Sequence, residues 1–232
     1  MSVKLNVVRR PQLWQEVASE LRRTILLRQF APGAHLAEAE LSREMNVSRG
    51  PIRDALRQLE LESLVEIKPN GRTLVVGLSH ESIAHLYDAR LCLERHALRR
   101  ASERLTDDDV AALQALVDLM EDSSRQGRVA EFSQSDMAFH QQFFTIAGNR
   151  ILAQLRTTLT APLGALVELE IMTVLESSGI TDPRAWAVNQ AHQEMVDALR
   201  DRDADRAQAI LTTHLEGAQN LLLEELEQRA LI

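Results

Sequence analysis

The chain has a single cysteine, Cys92, in 232 residues. That excludes an internal disulfide framework and any zinc cluster built on thiolates. Aromatic residues are scarce, at 3%; alanine and leucine dominate instead, which favours helices. No apolar run approaches the roughly 20 residues needed to span a bilayer. The opening stretch, MSVKLNVVRRPQLW, lacks the apolar segment of a secretory signal. These absences lead us to expect a cytoplasmic protein with no membrane association. What is present is ordinary for a soluble chain: 45% hydrophobic and 26% charged residues, long enough for one large domain or two small ones.

The net charge of −8 argues against nucleic acid until the chain is divided. Residues 1–78 have 12 Lys+Arg against 9 Asp+Glu, a net of +3. Residues 79–232 have 14 against 25, a net of −11. A basic module joined to an acidic body is a signal of division of labour.

In the basic part, apolar residues recur at helical spacing from Leu13 to Phe30, and APGAH (31–35) interrupts them. AEAELSREM (37–45) reads as a short second helix. Asn46 suits the left-handed conformation that ends it, and Ser48 is a good N-cap for a third helix from Arg49 to about Glu62. Pro51 lies in the first turn, where proline is tolerated. LVEIKPNGRTLVVGL alternates on both sides of PNGR and reads as a β-hairpin. Helix, helix, tight turn, helix and hairpin make a winged helix-turn-helix, whose third helix can enter the DNA major groove. Its N-terminal end presents Ser48, Arg49, Gly50 and Arg53. Arg49 and Arg53 oppose the apolar face and are suited to guanine edges. Gly50 lets the backbone approach DNA, and free N–H groups at the helix start favour phosphate. Arg43 and Arg72, the latter at the hairpin tip, are further candidates for DNA contact; the alternative for them and for Arg57 is a solvated surface.

The stretch ELSREMNVSRGPIRDALRQLELESLVEIKPNGR resembles the N-terminal signature of the GntR family of bacterial transcription regulators. There a Ser-Arg-x-Pro-x-Arg segment opens the recognition helix. The resemblance implies that Ser48, Arg49 and Arg53 contact operator DNA. It also has a departure: some members have an arginine in the second helix where this chain has Ala39, so one of their contacts is in question here.

From Ser79 onward, helix follows helix. We expect about six, over 79–104, 106–126, 128–147, 149–176, 181–200 and 203–230, with N-caps at Ser79, Thr106, Thr181 and Asp203. The fold class expected is mainly α: a winged helix-turn-helix in residues 1–78 and an antiparallel helical bundle in residues 79–232. In SDMAFHQQFF (135–144), Asp136 and His140 are four apart and share one helical face with phenylalanines. His192 lies among Ala191, Met195 and Leu199, and His214 among Ile210, Leu211, Leu215 and Ala218. Three imidazoles and a carboxylate from three helices suit zinc, or nickel or manganese. Taken singly, a histidine on an apolar face is more often a hydrogen-bonded core residue than a ligand, and the Asp136/His140 pair is evenly balanced. His35, His80, His85 and His96 lack such companions and read as structural.

SDMAFHQQFFTIAGNRIL and AHQEMVDALRDRDADRAQAILTTHL resemble the FCD ligand-binding domain of the FadR-type GntR subfamily, over about 79–226. That resemblance implies that Asp136, His140, His192 and His214 hold a divalent metal beside which a small organic acid binds. LYDARLCLERHALRRA resembles the stretch whose arginine faces the ligand, and the match falls on Arg90. A guanidinium there would clamp a carboxylate; the alternative is a surface arginine paired with Asp88 or Glu94. We therefore expect an effector-responsive regulator, more a repressor than an activator, that binds near-palindromic double-stranded DNA as a homodimer. The competing readings are a metal sensor or structural metal protein with no organic effector, and a metal-dependent hydrolase. No general base or nucleophile motif stands beside the four residues to favour the last.

Overall fold

The computed structural model describes residues 13–62, 64–76, 79–157, 159 and 183–230. The chain divides into two compact units, Met1–Leu78 and Ser79–Ile232. It is mainly helical, and no helix among the described residues is long and apolar enough to cross a membrane.

In the first unit, α1 (Leu13–Leu26) and α2 (Glu38–Glu44) pack on α3 (Arg49–Leu61). Leu21, Ile25, Leu41, Ile52, Leu56 and Leu59 are buried, so the apolar stripes of the three helices supply one core. The first helix stops at Leu26, short of the expected Phe30. Arg28 takes a left-handed conformation, and the Gln29 N–H donates to Thr24 O, closing the end over several carbonyls before APGAH is reached. Asn46 is left-handed as its side chain allows (φ 53°), and Ser48 sits extended at the start of α3. The wing is the antiparallel pair β1 (Val65–Ile67) and β2 (Thr73–Val75), in the register Val65↔Val75 and Ile67↔Thr73. Gly71, with φ 79°, closes the turn by donating to Lys68 O.

In the second unit, α4 (His80–Ser102), α5 (Asp107–Arg125), α6 (Val129–Ala147), α7 (helical over 150–157), α8 (Pro183–Arg200) and α9 (Ala204–Ala230) follow in order. Ser79 and Thr106 both close capping boxes, with Ser82 and Asp109 respectively. Gly148 ends α6 in a left-handed conformation. Asp203 Oδ1 accepts from the Arg206 N–H and caps α9. Most of the expected helix 149–176 and its neighbour cap Thr181 lie outside the described residues. Five helices close a ring by contact: α4 on α6, α6 on α5, α5 on α8, α8 on α9, and α9 back on α4. Phe139, Phe143, Leu98, Leu113, Met195 and Leu211 fill its inside.

Arg22 of α1 donates from Nε and Nη2 to both oxygens of Glu62, at 2.7 and 2.8 Å, and both side chains are largely covered. Removing one partner leaves the other charge uncompensated, which costs more than the pair contributes. Glu62→Ala should therefore lower stability by about 3 kcal/mol in urea unfolding. A loss under about 0.5 kcal/mol would place this pair with ordinary surface ion pairs.

Candidate functional sites

Asp136 and His140 stand one turn apart on the inward stripe of α6, with Phe132, Phe139 and Phe143. His192 lies on the stripe of α8 that buries Met195, Val196 and Leu199, and His214 on that of α9 between Leu211 and Leu215. The ring of helices turns these stripes towards one another. One ligand atom from each of Asp136, His140, His192 and His214 lies within 4.8 Å of the other three. His192 Nε2 is 3.4 Å from His140 Nε2 and 3.2 Å from Asp136 Oδ1, and His140 Nε2 is 3.8 Å from that same oxygen. Around a zinc ion, with bonds of about 2.0–2.1 Å, tetrahedral ligand atoms stand roughly 3.4 Å apart. The three measured separations bracket that value. Phe139 meets both His140 and His192 edge-on, holding the rings in place.

Besides Glu94 Oε2 and His140 Nδ1, two buried atoms of the cluster have unmet needs among the described residues. Asp136 Oδ2 is buried and has no hydrogen-bond partner among the described residues, and the same is true of Arg90 Nη2. A buried acceptor and a buried donor left unsatisfied are costly unless something else meets them. The donor set, three imidazoles and a carboxylate with a spare oxygen, fits a divalent ion of the zinc type.

Arg90 is buried, not on the surface. Its partner is Glu94, whose Oε1 accepts from Arg90 Nε at 2.9 Å, while Asp88 is exposed. Glu94 is fully buried as well, and its Oε2 lies 2.6 Å from His140 Nδ1. Arg156, another fully buried guanidinium, places Nε 3.7 Å from Glu94 Oε1. Sequence reasoning missed Arg156 altogether and met Glu94 only as a partner for Arg90. The four-residue step from Arg90 to Glu94 was the one local signal.

Burial presses the Asp136 carboxyl upward, but the hydrogen bond from His192 and the positive charges nearby win and hold it well below the usual range. Glu94 is likewise depressed: burial opposes ionisation, and Arg90, His140 and Arg156 outweigh it. Burial lowers His140 and, more strongly, His214, so these imidazoles stay neutral and keep lone pairs for coordination.

In the first unit, Ser48, Arg49, Gly50 and Arg53 are all exposed at the start of α3. The Ser48 hydroxyl makes no capping bond. A methyl group at Gly50 would meet nothing within 4 Å, so this helix end is open to an incoming surface. Arg43, at the end of α2, and Arg72, in the wing turn, are exposed too. Arg53 is engaged: Nε and Nη2 donate to both oxygens of Glu38 at 2.9 and 2.8 Å. That hydrogen bond lowers Glu38 and raises Arg53. Glu38 was not singled out from the sequence, because nothing local links it to a residue fifteen positions on.

Residues 13–75 match the family described as bacterial regulatory proteins, gntR family, and residues 85–217 match the FCD domain. The HTH-type transcriptional repressor NanR of Cronobacter sakazakii is 31% identical over 231 residues, covering 90% of this chain and 84% of that one. The chain belongs to the GntR family, with an FCD domain. The gluconate operon transcriptional repressor of Bacillus licheniformis is 27% identical, covering 82% of this chain and 76% of the relative. Among solved structures, E. coli McbR/YncC aligns with a TM-score of 0.70 at 19% identity, over 92% of this chain and 98% of that chain, which shows the shared fold. The NanR protein and the gluconate operon protein are named as transcriptional repressors, and this GntR protein is a regulator rather than an enzyme.

The lowered histidines give a pH dependence of defined sign. Below about 6.5 the unfolded chain takes up protons that folded His140 and His214 refuse. Stability is therefore fully present above that pH and is lost as pH falls towards the depressed folded values. With metal chelated, the melting temperature should drop between pH 7 and 5, and the drop should shrink in His214→Asn. A melting temperature that holds or rises on acidification would contradict neutral burial of these rings.

Proposed function

We propose that this regulator is a repressor that binds a near-palindromic operator as a homodimer in the cytoplasm. In this reading a small carboxylic acid, held at a divalent metal in the helical unit, releases it from DNA. The observation that supports this most is the pairing of two unmet needs in one buried cluster. Asp136, His140, His192 and His214 together would hold the ion, zinc before nickel or manganese, since their ligand atoms lie within 4.8 Å of one another and those of Asp136, His140 and His192 stand near tetrahedral spacing. Arg90 Nη2 supplies a buried donor with no partner among the described residues, which suits a carboxylate. A metal sensed or kept for structure alone would leave that guanidinium donor unexplained. One relative is named for a gluconate operon, and a sugar acid offers both a carboxylate for Arg90 and hydroxyls for an ion. Hydroxy acids and sugar acids are therefore the first class to test.

On DNA, the open end of α3 would enter the major groove with Ser48, Arg49 and Arg53, and Arg43 and Arg72 would contact the backbone. Arg53 keeps Nη1 for an acceptor while Glu38 holds its other two nitrogens.

Two measurements test this. In a thermal-shift screen of zinc-loaded protein against small carboxylic acids, a ligand at 100 times its Kd should stabilise by about 2.7 kcal/mol. The shift should vanish in Asp136→Ala/His192→Ala. A metal that raises the melting temperature with no acid adding to it would replace this reading by a metal sensor or a structural metal. For DNA, Arg49→Ala/Arg53→Ala should abolish discrimination between operator and random duplex and flatten the dependence of affinity on salt. Unchanged affinity and slope would remove α3 from the interface.

A further inference from the structure

We infer that Glu94 is the positioning residue on which both halves of the ligand site rest. One oxygen fixes the ring of His140 and the other aims the guanidinium of Arg90. The inference deepens the metal-and-carboxylate reading and rests on it.

The contact between Glu94 Oε2 and His140 Nδ1 is 2.6 Å. It is close without being an aligned hydrogen bond, since neither atom has a regular hydrogen-bond partner among the described residues. A carboxylate oxygen so near an unprotonated ring nitrogen would set lone pair against lone pair in a buried, low-dielectric place. Only a proton on Nδ1 makes the approach favourable. His140 therefore has its lone pair on Nε2, the nitrogen that lies 3.4 Å from His192 Nε2 and 3.8 Å from Asp136 Oδ1. Glu94 thus chooses which nitrogen faces the metal position, from a helix that supplies none of the four ligands. Carboxylates placed behind a metal-binding histidine are generally worth 10–100-fold in metal affinity.

The second oxygen serves Arg90. Its Nε donates to Glu94 Oε1 at 2.9 Å, and a planar guanidinium pinned at Nε has its remaining nitrogens fixed in direction. Nη2 is the atom left unmet. Glutamate alone can do both tasks, because both neighbours present donors. In Glu94→Gln the amide oxygen can serve one neighbour, and the NH₂ group then faces the other donor.

The test uses the full-length chain and cobalt(II) alone as probe. Wild type should bind cobalt with the visible absorption of a low-symmetry nitrogen–oxygen site, and Glu94→Gln should bind 10–100-fold more weakly. In metal-free wild type, nitrogen-15 correlation spectra of the imidazole rings should show His140 as one tautomer, protonated at Nδ1, and a protected Arg90 Nε–H signal. At least one of those two signatures should be lost in Glu94→Gln. A wild-type His140 protonated at Nε2, or mixed, overturns the inference without any mutant having to fold. So does a Glu94→Gln chain that binds cobalt as tightly as wild type with an unchanged spectrum. Failure of wild type to bind cobalt would instead count against the metal reading, and the tautomer measurement would still decide the role of Glu94.

Discussion

Two carboxylates, Asp136 and Glu94, are buried inside the ring of five helices, and the inside of that ring is arranged around them. Burying a charge costs several kcal/mol even after relaxation, and pairing it with an opposite charge about breaks even. Well-packed leucine and phenylalanine would stabilise this bundle at least as well. Stability alone therefore does not account for Arg90, Arg156, Asp136, Glu94 and three imidazoles converging where Phe139, Phe143 and Met195 already supply apolar packing. Asp136 Oδ2 and Arg90 Nη2 make the same point, since among the described residues the cluster has not closed on either of them.

The ion pairs of the first unit show what the same residue types do under other constraints. Arg22–Glu62 is largely covered and satisfied at both ends, so it joins α1 to the end of α3 and offers nothing outward. Arg53–Glu38 is exposed, with Arg53 at 55% and Glu38 at 32% side-chain exposure. Water screens such a pair, and its contribution to folding is small. Its consequence is directional: a long, rotamer-rich side chain is held in one pose at the mouth of α3. The acid has an electrostatic effect too: it offsets one positive charge at the exposed start of α3.

The winged helix-turn-helix was legible because it has a local pattern, whereas Asp136, His140, His192 and His214 stood out singly at inward positions and only the family resemblance joined them into one set. Asn46 and Ser48 punctuate the turn before α3, Pro51 falls in its first turn, and the N-cap residues Ser79 and Thr106 announce their helices. The histidines sit at inward helical positions whose period can be read directly. Helix ends were less legible. Arg28 adopts a left-handed conformation that its residue type does not advertise, and α1 stops there instead of at the proline. Arg156 and the role of Glu94 had no pattern at all. Glu94 meets His140 because α4 packs on α6, and tertiary packing of that kind leaves only a trace in a single sequence, here the step from Arg90 to Glu94.

The charge balance of the cluster bears on the proposal that an ion and an organic acid bind together. As it stands, two guanidiniums face two carboxylates, and burial keeps His140 and His214 neutral. The cluster is close to electroneutral before anything binds. A divalent cation alone would leave two positive charges in a place too dry to screen them. A carboxylic acid alone would bring one negative charge to Arg90, whose guanidinium Glu94 already balances. Together they would leave one positive charge, which a second anionic or polarised oxygen on the ion would have to balance. Each ligand thus lowers the cost of accommodating the other. By linkage that help must be reciprocal. On the proposed reading the regulator would take up the acid more tightly with the metal in place, a coupling set by the low dielectric of the bundle interior.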